Sequence, residues 1–270
     1  MSGGAVQSDC SRAELQAVFI ARQISDGEQV LAGTNLEVPR AALLLAHWHH
    51  APNLRIQLGA YMANLLDAPK VDRFSARADF DRQGVPGIES YVPLDFENLW
   101  RVDLTFIGGL QVDCYGNTNM IGLKGEKSRF KVRGPGTVGT ATLTTHIQKY
   151  FIYVNEHSPR VFVPKCDYVS SVGWGAGGAD AREKLGLPGG GPALMITPEC
   201  IMDFDAVTKH ARLRYLCPGV SAGQVQARTG FPLPSAPDLC ELPPPTDDEL
   251  HILRTKVDPG GILREHAEGA

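Results

Sequence analysis

The sequence predicts an α/β fold with an open, mainly parallel sheet and flanking helices. Short apolar segments with strand character alternate along the chain with segments of helical periodicity. Glycine, proline and asparagine separate these segments, as expected where short loops join strands to helices. The chain has 270 residues, of which 43% are hydrophobic and 21% charged, so it can bury a core without disulfides or metal ions.

The first predicted helix covers residues 11–25, because Leu15, Val18 and Phe19 recur at helical spacing. Ser11 is the predicted N-cap, and Glu14 stands three residues later, where a capping box places an acidic side chain. A short strand, a helix entered through a proline in its first turn, and a second strand follow; they are expected at residues 28–32, 38–49 and 54–58.

The alternation of strands and helices continues to the C-terminal region. Further strands are expected at residues 103–107, 149–154, 168–172, 193–197 and 213–216, and further helices at residues 88–102 and 139–147. Residues 173–192 hold eight glycines and predict a flexible surface loop, whereas the proline-rich residues 231–245 predict an extended segment. Thr246 is the predicted N-cap of a terminal helix. These features predict a main domain over residues 1–233 and a proline-rich segment with a helix over residues 234–270.

Composition excludes several classes of protein. The net charge is −4 and there is no uninterrupted basic run, which argues against a nucleic-acid-binding protein. No segment has the ~20 apolar residues of a membrane helix, and the N-terminal residues show no secretory signal, so we expect a cytoplasmic protein that does not bind membranes. The six cysteines have neither zinc-ligand spacing nor a C-x-x-C pair, so we expect reduced thiols and no metal site.

The segment from Phe106 to Met120 is rich in glycine and polar side chains. A strand leads into it, and ligands bind beyond the carboxyl ends of strands in open α/β sheets. The polar side chains suited to lining such a cleft are Gln111, Asp113, Asn117 and Asn119. The alternative is a turn-rich loop whose Asn and Asp side chains bond the local backbone, and the residue types alone favour this alternative.

A second glycine-rich segment, from Arg133 to Leu143, precedes a predicted helix. Backbone N–H groups at the three glycines, Gly134, Gly136 and Gly139, are suited to binding an anion or a developing oxyanion. Arg133 adds a positive charge suited to a carboxylate or phosphate. The spacing formally matches G-x-G-x-x-G but not the P-loop, and no strand clearly leads into it. A helix-capping turn is the alternative, and the spacing does not separate the two.

Four segments, in order, resemble the β subunits of class I CoA-transferases. GGLQVDCYGNTN and RGPGTVGTAT belong to the two segments above, and ALMITPECIMDFD and YLCPGVSAGQVQARTGFPL follow them. The likeness runs from about Glu14 to about Leu233. It implies the CoA-transferase fold, which is similar to ribose-phosphate isomerase, and an active site at the interface with an α-type subunit in a heterodimer or heterotetramer. It also implies an acyl-CoA thioester as substrate and no further cofactor.

One departure from the family pattern follows the strand predicted at residues 54–58. True transferases of the family carry a glutamate there, which attacks the thioester and holds CoA covalently. Gly59 occupies that position, and no Glu or Asp lies between Asn53 and Asn64. The steroid-ring-cleaving hydrolase branch is similar in having glycine there and in the stretch Val132–Gly136. A decarboxylase branch carries cysteine instead, and this chain has none at that position.

The resemblance therefore implies a β subunit that hydrolyses or cleaves an acyl-CoA, with Arg133 as the catalytic residue. The residues expected to bind the acyl-CoA are Gly59, Gln111, Asp113, Asn117, Asn119, Gly134, Gly136 and Gly139. Two alternatives remain open. The first is a true transferase whose glutamate lies elsewhere, such as Glu37 or Glu89. The second is a non-catalytic subunit that shapes the cleft of a catalytic α subunit.

Overall fold

The computed structural model describes residues 10–33, 36–58, 61–64, 101–126, 129–137 and 139–265. The helices in these residues are α1 (Arg12–Ala21), α2 (Glu37–His49), α3 (Thr140–His146), α4 (Ala181–Lys184), α5 (Ala222–Ala227), α6 (Asp247–Ile252) and α7 (Ile262–Glu265), and a π-helical turn spans Leu253–Val257. The strands are β1 (Gln29–Ala32), β2 (Arg55–Leu58), β3 (Tyr61–Asn64), β4 (Leu104–Ile107), β5 (Gln111–Val112), β6 (Thr118–Asn119), β7 (Gly122–Lys124), β8 (Phe130–Arg133), β9 (Lys149–Tyr153), β10 (Pro192–Ile196), β11 (Cys200–Phe204), β12 (Ala211–Leu216) and β13 (Ser235–Glu241).

The chain divides into two units, and the first joins Met1–Asn98 to Leu242–Ala270. In this unit β1 pairs with β2 in parallel, β2 pairs with β3 antiparallel, and α1 packs against α2. The predicted capping box of α1 is confirmed: the Ser11 hydroxyl accepts from the Glu14 amide, and the Glu14 carboxylate accepts from the Ser11 amide. The local sequence signal therefore sets where this helix begins.

The C-terminal helices complete the first unit, with α6 packed against α2 and α7 against α1. Thr246 caps α6 as predicted, and its capping-box partner is Glu249. Glu249 also accepts from Arg22 at 2.6 Å. Within α7, the Leu263 carbonyl accepts from the Ser11 hydroxyl at 2.8 Å. The two ends of the chain thus build one hydrophobic unit.

The second unit, Leu99–Glu241, contains a sheet with the strand order β4-β9-β10-β11-β12-β13. The pairs β4–β9, β9–β10 and β12–β13 are parallel, and β11 runs antiparallel to both its neighbours. Together with the parallel β1–β2 pair, this confirms the mainly parallel sheet with flanking helices. The core of this unit is apolar and almost fully buried; among its members are Ile107, Val112, Tyr150, Ile152, Phe162, Met195 and Met202.

Several predicted elements differ from the structure. Residues 168–172 form no strand, and Ser171 makes only an isolated bridge to Thr118. Residues 173–192 are not simply a flexible loop, because they contain α4 and are tied to other segments by hydrogen bonds. The extended segment 231–245 includes strand β13, which pairs with β12. The helix predicted at residues 88–102 lies outside the described residues except for its last two.

The division between residues 233 and 234 stays a prediction. Within the described ranges, no helix has the length and apolarity needed to cross a membrane.

Candidate functional site

The two glycine-rich segments singled out in the sequence lie next to each other in the second unit. After β4 the chain turns through Gly108 and Gly109 into the β5–β6 hairpin, where Gln111 pairs with Asn119. A Cβ on Gly109 would lie 2.9 Å from the Gln111 carbonyl oxygen, so close backbone approach explains this glycine. The hairpin and its turn carry all four polar side chains that were predicted to line a cleft.

Asp113 and Asn117 close the turn of this hairpin. The buried Asp113 carboxylate accepts from Asn117 Nδ2 at 2.9 Å and from the Tyr115 amide at 2.9 Å. Asn117 also holds the later glycine-rich segment, since its Nδ2 donates to the Gly175 carbonyl at 2.8 Å and its Oδ1 accepts from the Gly173 amide at 2.9 Å. Burial raises the pKa of Asp113, and these hydrogen bonds oppose that rise. Asp113 and Asn117 therefore both use their side chains to form hydrogen bonds with other groups of this chain.

Gln111 and Asn119 form a second buried network. Asn119 Nδ2 donates to Gln111 Oε1 at 2.7 Å, and the same oxygen accepts from the Asp167 amide at 2.9 Å. Asn119 Oδ1 accepts from the Ile121 amide at 2.9 Å and from the Gly122 amide at 3.3 Å. Leaving a buried side-chain amide without hydrogen-bond partners would cost free energy. Because any other conformation of the turn after β6 would break these bonds, they fix the turn.

That turn supports the second motif. The Ile121 carbonyl accepts from the Gly134 amide at 2.9 Å and from Arg133 Nη1 at 2.7 Å, and the Met120 carbonyl accepts from the Gly136 amide at 3.1 Å. A Cβ on Gly134 would lie 2.2 Å from the Met120 carbonyl oxygen, so only glycine fits there. The four polar side chains bond one another and the backbone, as in the turn-rich alternative, and they position this loop. Their contact with an acyl-CoA stays a prediction.

Gly136 and Gly139 differ from Gly134 in their surroundings. Their φ angles are +94° and +85°, and no atom lies within 4 Å of the place where a Cβ would stand. Left-handed backbone therefore explains both glycines, and open space lies beside them. Within the described residues, the amides of Thr137 and Gly139 donate no hydrogen bond. The loop thus offers open backbone N–H groups, an arrangement that suits an anion or a developing oxyanion.

Arg133 lies at the exposed end of β8, where this loop begins. Its Nη1 donates to the carbonyls of Ile121 and Gly134, both at 2.7 Å, and its guanidinium lies 5.3 Å from the centroid of the Phe130 ring. No carboxylate in the described part of the chain forms an ion pair with it. Backbone carbonyls therefore orient the guanidinium, while Nε and Nη2 keep donors for another group.

Arg182 is a buried arginine that no sequence pattern signals. Its side chain donates to five backbone carbonyls. The three shortest bonds run from Nε to Gly189 at 2.7 Å, from Nη1 to Gly173 at 3.0 Å and from Nη2 to Thr144 at 2.6 Å, and two longer ones reach Val172 at 3.2 Å and Thr145 at 3.5 Å. Desolvation lowers its pKa. Thr144 lies in the last turn of α3, whose carbonyls lack partners inside the helix. Arg182 therefore connects the end of α3 to the glycine-rich segment at residues 173–191.

A buried cluster outside the two motifs joins His157 to Thr197, Thr229 and Cys200. The two ring nitrogens of His157 lie 2.9 Å and 3.0 Å from the two threonine hydroxyls, and the Cys200 sulfur lies 3.8 Å from Nδ1. Burial lowers the pKa of His157 to about 4 and raises the pKa of the Cys200 thiol. A neutral imidazole beside a protonated thiol is a packed polar contact rather than an activated nucleophile.

Gly59, which occupies the family's glutamate position, lies outside the described residues, as does Glu89. Glu37, the other candidate nucleophile, is the first residue of α2 in the first unit. That no Glu or Asp lies between Asn53 and Asn64 is therefore known from the sequence alone.

The family model of coenzyme A transferase matches residues 13–228. The chain belongs to the coenzyme A transferase family. It is 34% identical to the B subunit of glutaconate CoA-transferase from Acidaminococcus fermentans, with 92% of each chain covered. It is 33% identical to the B subunit of 3-oxoadipate CoA-transferase from Pseudomonas knackmussii, with 89% of this chain and 91% of that protein covered. It is 28% identical to the cholesterol ring-cleaving hydrolase IpdB subunit of Mycobacterium tuberculosis, with 93% and 96% covered.

The fold agrees with this membership. The crystal structure of glutaconate coenzyme A-transferase from Acidaminococcus fermentans matches the chain with a TM-score of 0.80 and 32% identity, covering 95% of this chain and 98% of that chain. The fold expected from the four motifs is thereby confirmed, and this coenzyme A transferase family member shares its architecture with a solved transferase.

Proposed function

We propose that this chain is the B-type subunit of a heteromeric enzyme that hydrolyses or cleaves an acyl-CoA. The observation that carries the proposal is Gly59, with no Glu or Asp between Asn53 and Asn64. Glycine has no side-chain nucleophile, so a glutamyl-CoA thioester cannot form at this position. The name of the similar IpdB subunit, a ring-cleaving hydrolase, supports the proposal.

The chain works with an A-type partner in this proposal. The relatives are named as B subunits of glutaconate and 3-oxoadipate CoA-transferases, and such a name implies an A-type counterpart. The partner supplies the acid or base that Gly59 lacks. An obligate interface of this kind buries upwards of ~2,000 Å², so we expect the chain expressed alone to aggregate or to be inactive.

The Arg133 loop stabilises negative charge on the substrate in this scheme. The free donors of Arg133 and the open amides of Thr137 and Gly139 belong to one short stretch of the sequence. An enolate or a free carboxylate of the acyl group is the charge they suit, since a guanidinium can hold either by two charge-assisted hydrogen bonds. The network of Gln111 and Asn119 holds these donors in place before the substrate binds, so no free energy of binding is lost to rearranging them.

A true CoA-transferase is the second candidate, because the identities to the two transferase relatives, 34% and 33%, exceed the 28% to the hydrolase relative. It requires an attacking carboxylate at a position other than Gly59. Glu37 and Glu89 are the residues to examine.

The two candidates differ in one measurement. The complex of this chain with its A-type subunit is incubated with cyclic and dicarboxylic acyl-CoAs, with and without a carboxylate acceptor. It is then quenched with borohydride or hydroxylamine and mapped by mass spectrometry. We expect substrate cleavage without acceptor and no modified glutamate in this chain. A modified glutamate whose replacement by glutamine abolishes turnover would restore the transferase.

A further inference from the structure

Two adjacent histidines stand at the C-terminal end of α2, in the first unit. His49 is the last residue of the helix and His50 is its C-cap, and both are exposed to solvent. Their Nδ1 atoms lie 3.2 Å apart, and the planes of the two rings are inclined at 81° to each other. The proposed function uses neither histidine, so the pair is a separate feature of the chain.

The outer nitrogen of each ring lies next to an acceptor. His50 Nε2 lies 3.0 Å from the Ile24 carbonyl oxygen, and His49 Nε2 lies 3.4 Å from Oδ2 of Asp248, a residue of α6. A carbonyl and a carboxylate accept hydrogen bonds and cannot donate them, so each Nε2 carries a hydrogen atom. Because a neutral imidazole has only one N–H group, both Nδ1 atoms then present a lone pair.

The spacing of the two Nδ1 atoms suits a metal ion. Two lone pairs on neighbouring nitrogens repel each other, and a positive group that both can bind removes this repulsion. At a Zn–N distance of ~2.0–2.1 Å and a tetrahedral angle, two nitrogen ligands of one ion lie about 3.3 Å apart. The observed separation of 3.2 Å is close to that value. Imidazole nitrogen is a ligand that Zn²⁺, Cu²⁺ and Ni²⁺ all accept.

Negative charge around the pair also favours a cation. The C-terminal end of a helix is the negative end of its dipole, and both histidines stand at this end of α2. The Asp248 carboxylate lies beside His49, and the charge of Asp26 interacts with His50. A doubly charged ion gains more than a proton does from these groups, because the Coulomb energy grows with the charge.

The pair leaves most coordination positions of an ion open. Within the described residues, no group of three or more His, Cys, Asp or Glu side chains is arranged to hold a metal ion. Two nitrogens are therefore what the described part of the chain supplies, and water fills the remaining positions. Such a site exchanges its ion, unlike a closed structural zinc site with four protein ligands. The expectation of no metal site followed from the cysteines, and this pair contains none.

We propose that His49 and His50 bind a divalent transition-metal ion, Zn²⁺ or Cu²⁺, through their two Nδ1 atoms. The Ile24 carbonyl and the Asp248 carboxylate orient the rings, as acceptors at the outer nitrogen do for metal-bound histidines in general. Metal binding makes the His49 Nε2–H group a better donor, so the ion strengthens the link from α2 to α6. No step of the proposed acyl-CoA reaction involves this ion, so either proposal can fail without the other.

Metal binding to the complex with the A-type subunit tests the proposal. The complex is purified without a histidine tag and treated with EDTA, which is then removed. Titration calorimetry at neutral pH measures the affinity for Zn²⁺ and for Mg²⁺, which prefers oxygen ligands. Electron paramagnetic resonance of added Cu²⁺ reports the nitrogens bound to it. We expect Zn²⁺ to bind, Mg²⁺ not to bind, and the Cu²⁺ spectrum to show coupling to imidazole nitrogens.

Variants place the ion. Asp248→Asn should bind Zn²⁺ about tenfold more weakly, because outer partners of metal-bound histidines contribute about that much to affinity, and His49→Asn and His50→Asn should lose more. His146→Asn is the matched control, since it removes a histidine of α3 in the second unit, and it should bind like wild type. Zn²⁺ should raise the Tm of wild type and of the control, but not that of the two pair variants.

Two results would overturn the proposal. If His49→Asn and His50→Asn bind Zn²⁺ as tightly as wild type, the ion lies elsewhere in the complex. If wild type binds neither Zn²⁺ nor Cu²⁺, the two nitrogens share a proton instead of a metal ion. Circular dichroism shows whether each variant is folded, and the Cu²⁺ spectrum of wild type decides the question even where a variant is not.

Discussion

Replacing Arg182 by methionine would leave three backbone carbonyls without a donor, those of Gly173, Gly189 and Thr144, which now accept at 3.0, 2.7 and 2.6 Å. The carbonyls of Val172 and Thr145, which also accept from Arg182, would keep the Tyr150 hydroxyl and the Gly189 amide. Methionine fills much of the same volume without a donor. Three buried carbonyls without partners cost about 1–1.5 kcal/mol each, or about 3–5 kcal/mol. Relief of the desolvated charge offsets part of this, so we expect a net loss of about 2–4 kcal/mol.

Calorimetric unfolding of the complex measures this loss. For a unit of this size 1 kcal/mol corresponds to about 2–4 °C, so Tm should fall by roughly 5–15 °C. Arg160→Met is the matched control, since the Arg160 side chain is 70% exposed and forms its ion pair with Glu156, four residues away. Arg182→Lys should lie between, because one ammonium cannot reach three carbonyls in different directions. If Arg182→Met unfolds within about 1 kcal/mol of wild type, the guanidinium does not hold these segments together.

The remaining predictions concern pH, the glycine loop and the catalytic arginine. Since the folded pKa of His157, about 4, lies below the ordinary value of 6.5, its contribution to stability is complete above pH 6.5 and falls by about 3 kcal/mol as the pH drops to 4. Urea midpoints of wild type and His157→Gln should therefore diverge over that range, and parallel curves would contradict this. Gly134→Ala should prevent the loop from forming, because a Cβ there would collide with the Met120 carbonyl. Gly136→Ala should lower the free energy of unfolding by only about 1–2 kcal/mol, like the control Gly219→Ala, whose glycine has φ +75° and open space beside it. Equal thermal shifts for Gly134→Ala and Gly136→Ala would refute the collision with Met120. Arg133→Ala should keep its Tm within a few degrees and lose about a hundredfold or more in turnover, and activity within a fewfold of wild type would make Arg133 structural.

Local signals predicted where α1 and α6 begin, although α1 ends at Ala21, before the predicted residue 25. The capping boxes at Ser11 and Thr246 both form as expected, because each joins groups only three residues apart. Strand β13 was not predicted, because Pro237 stands within a proline-rich stretch. An edge strand tolerates a proline that a central strand does not, and β13 pairs only with β12 in the second unit.

The candidate site was predicted in outline, but its internal bonding was not. The polar residues from Gln111 to Asn119 were recognised from a motif, yet the partner that fixes Gln111 is Asp167, far along the chain. Arg182 reaches carbonyls that lie up to 38 residues away in sequence. Such contacts depend on how the chain folds back, and no periodicity in the sequence records them.

The joining of both chain ends in the first unit sets an order for folding during synthesis. The ion pair of Arg254 with Glu14 and the hydrogen bond of Ser11 with Leu263 require residues that are made after the second unit. The second unit is continuous from Leu99 to Glu241 and is complete on the ribosome before them. The surfaces of α2 and α1 that α6 and α7 cover therefore stay uncovered until those two helices have been made. During that interval the exposed apolar surface makes the nascent chain prone to aggregation.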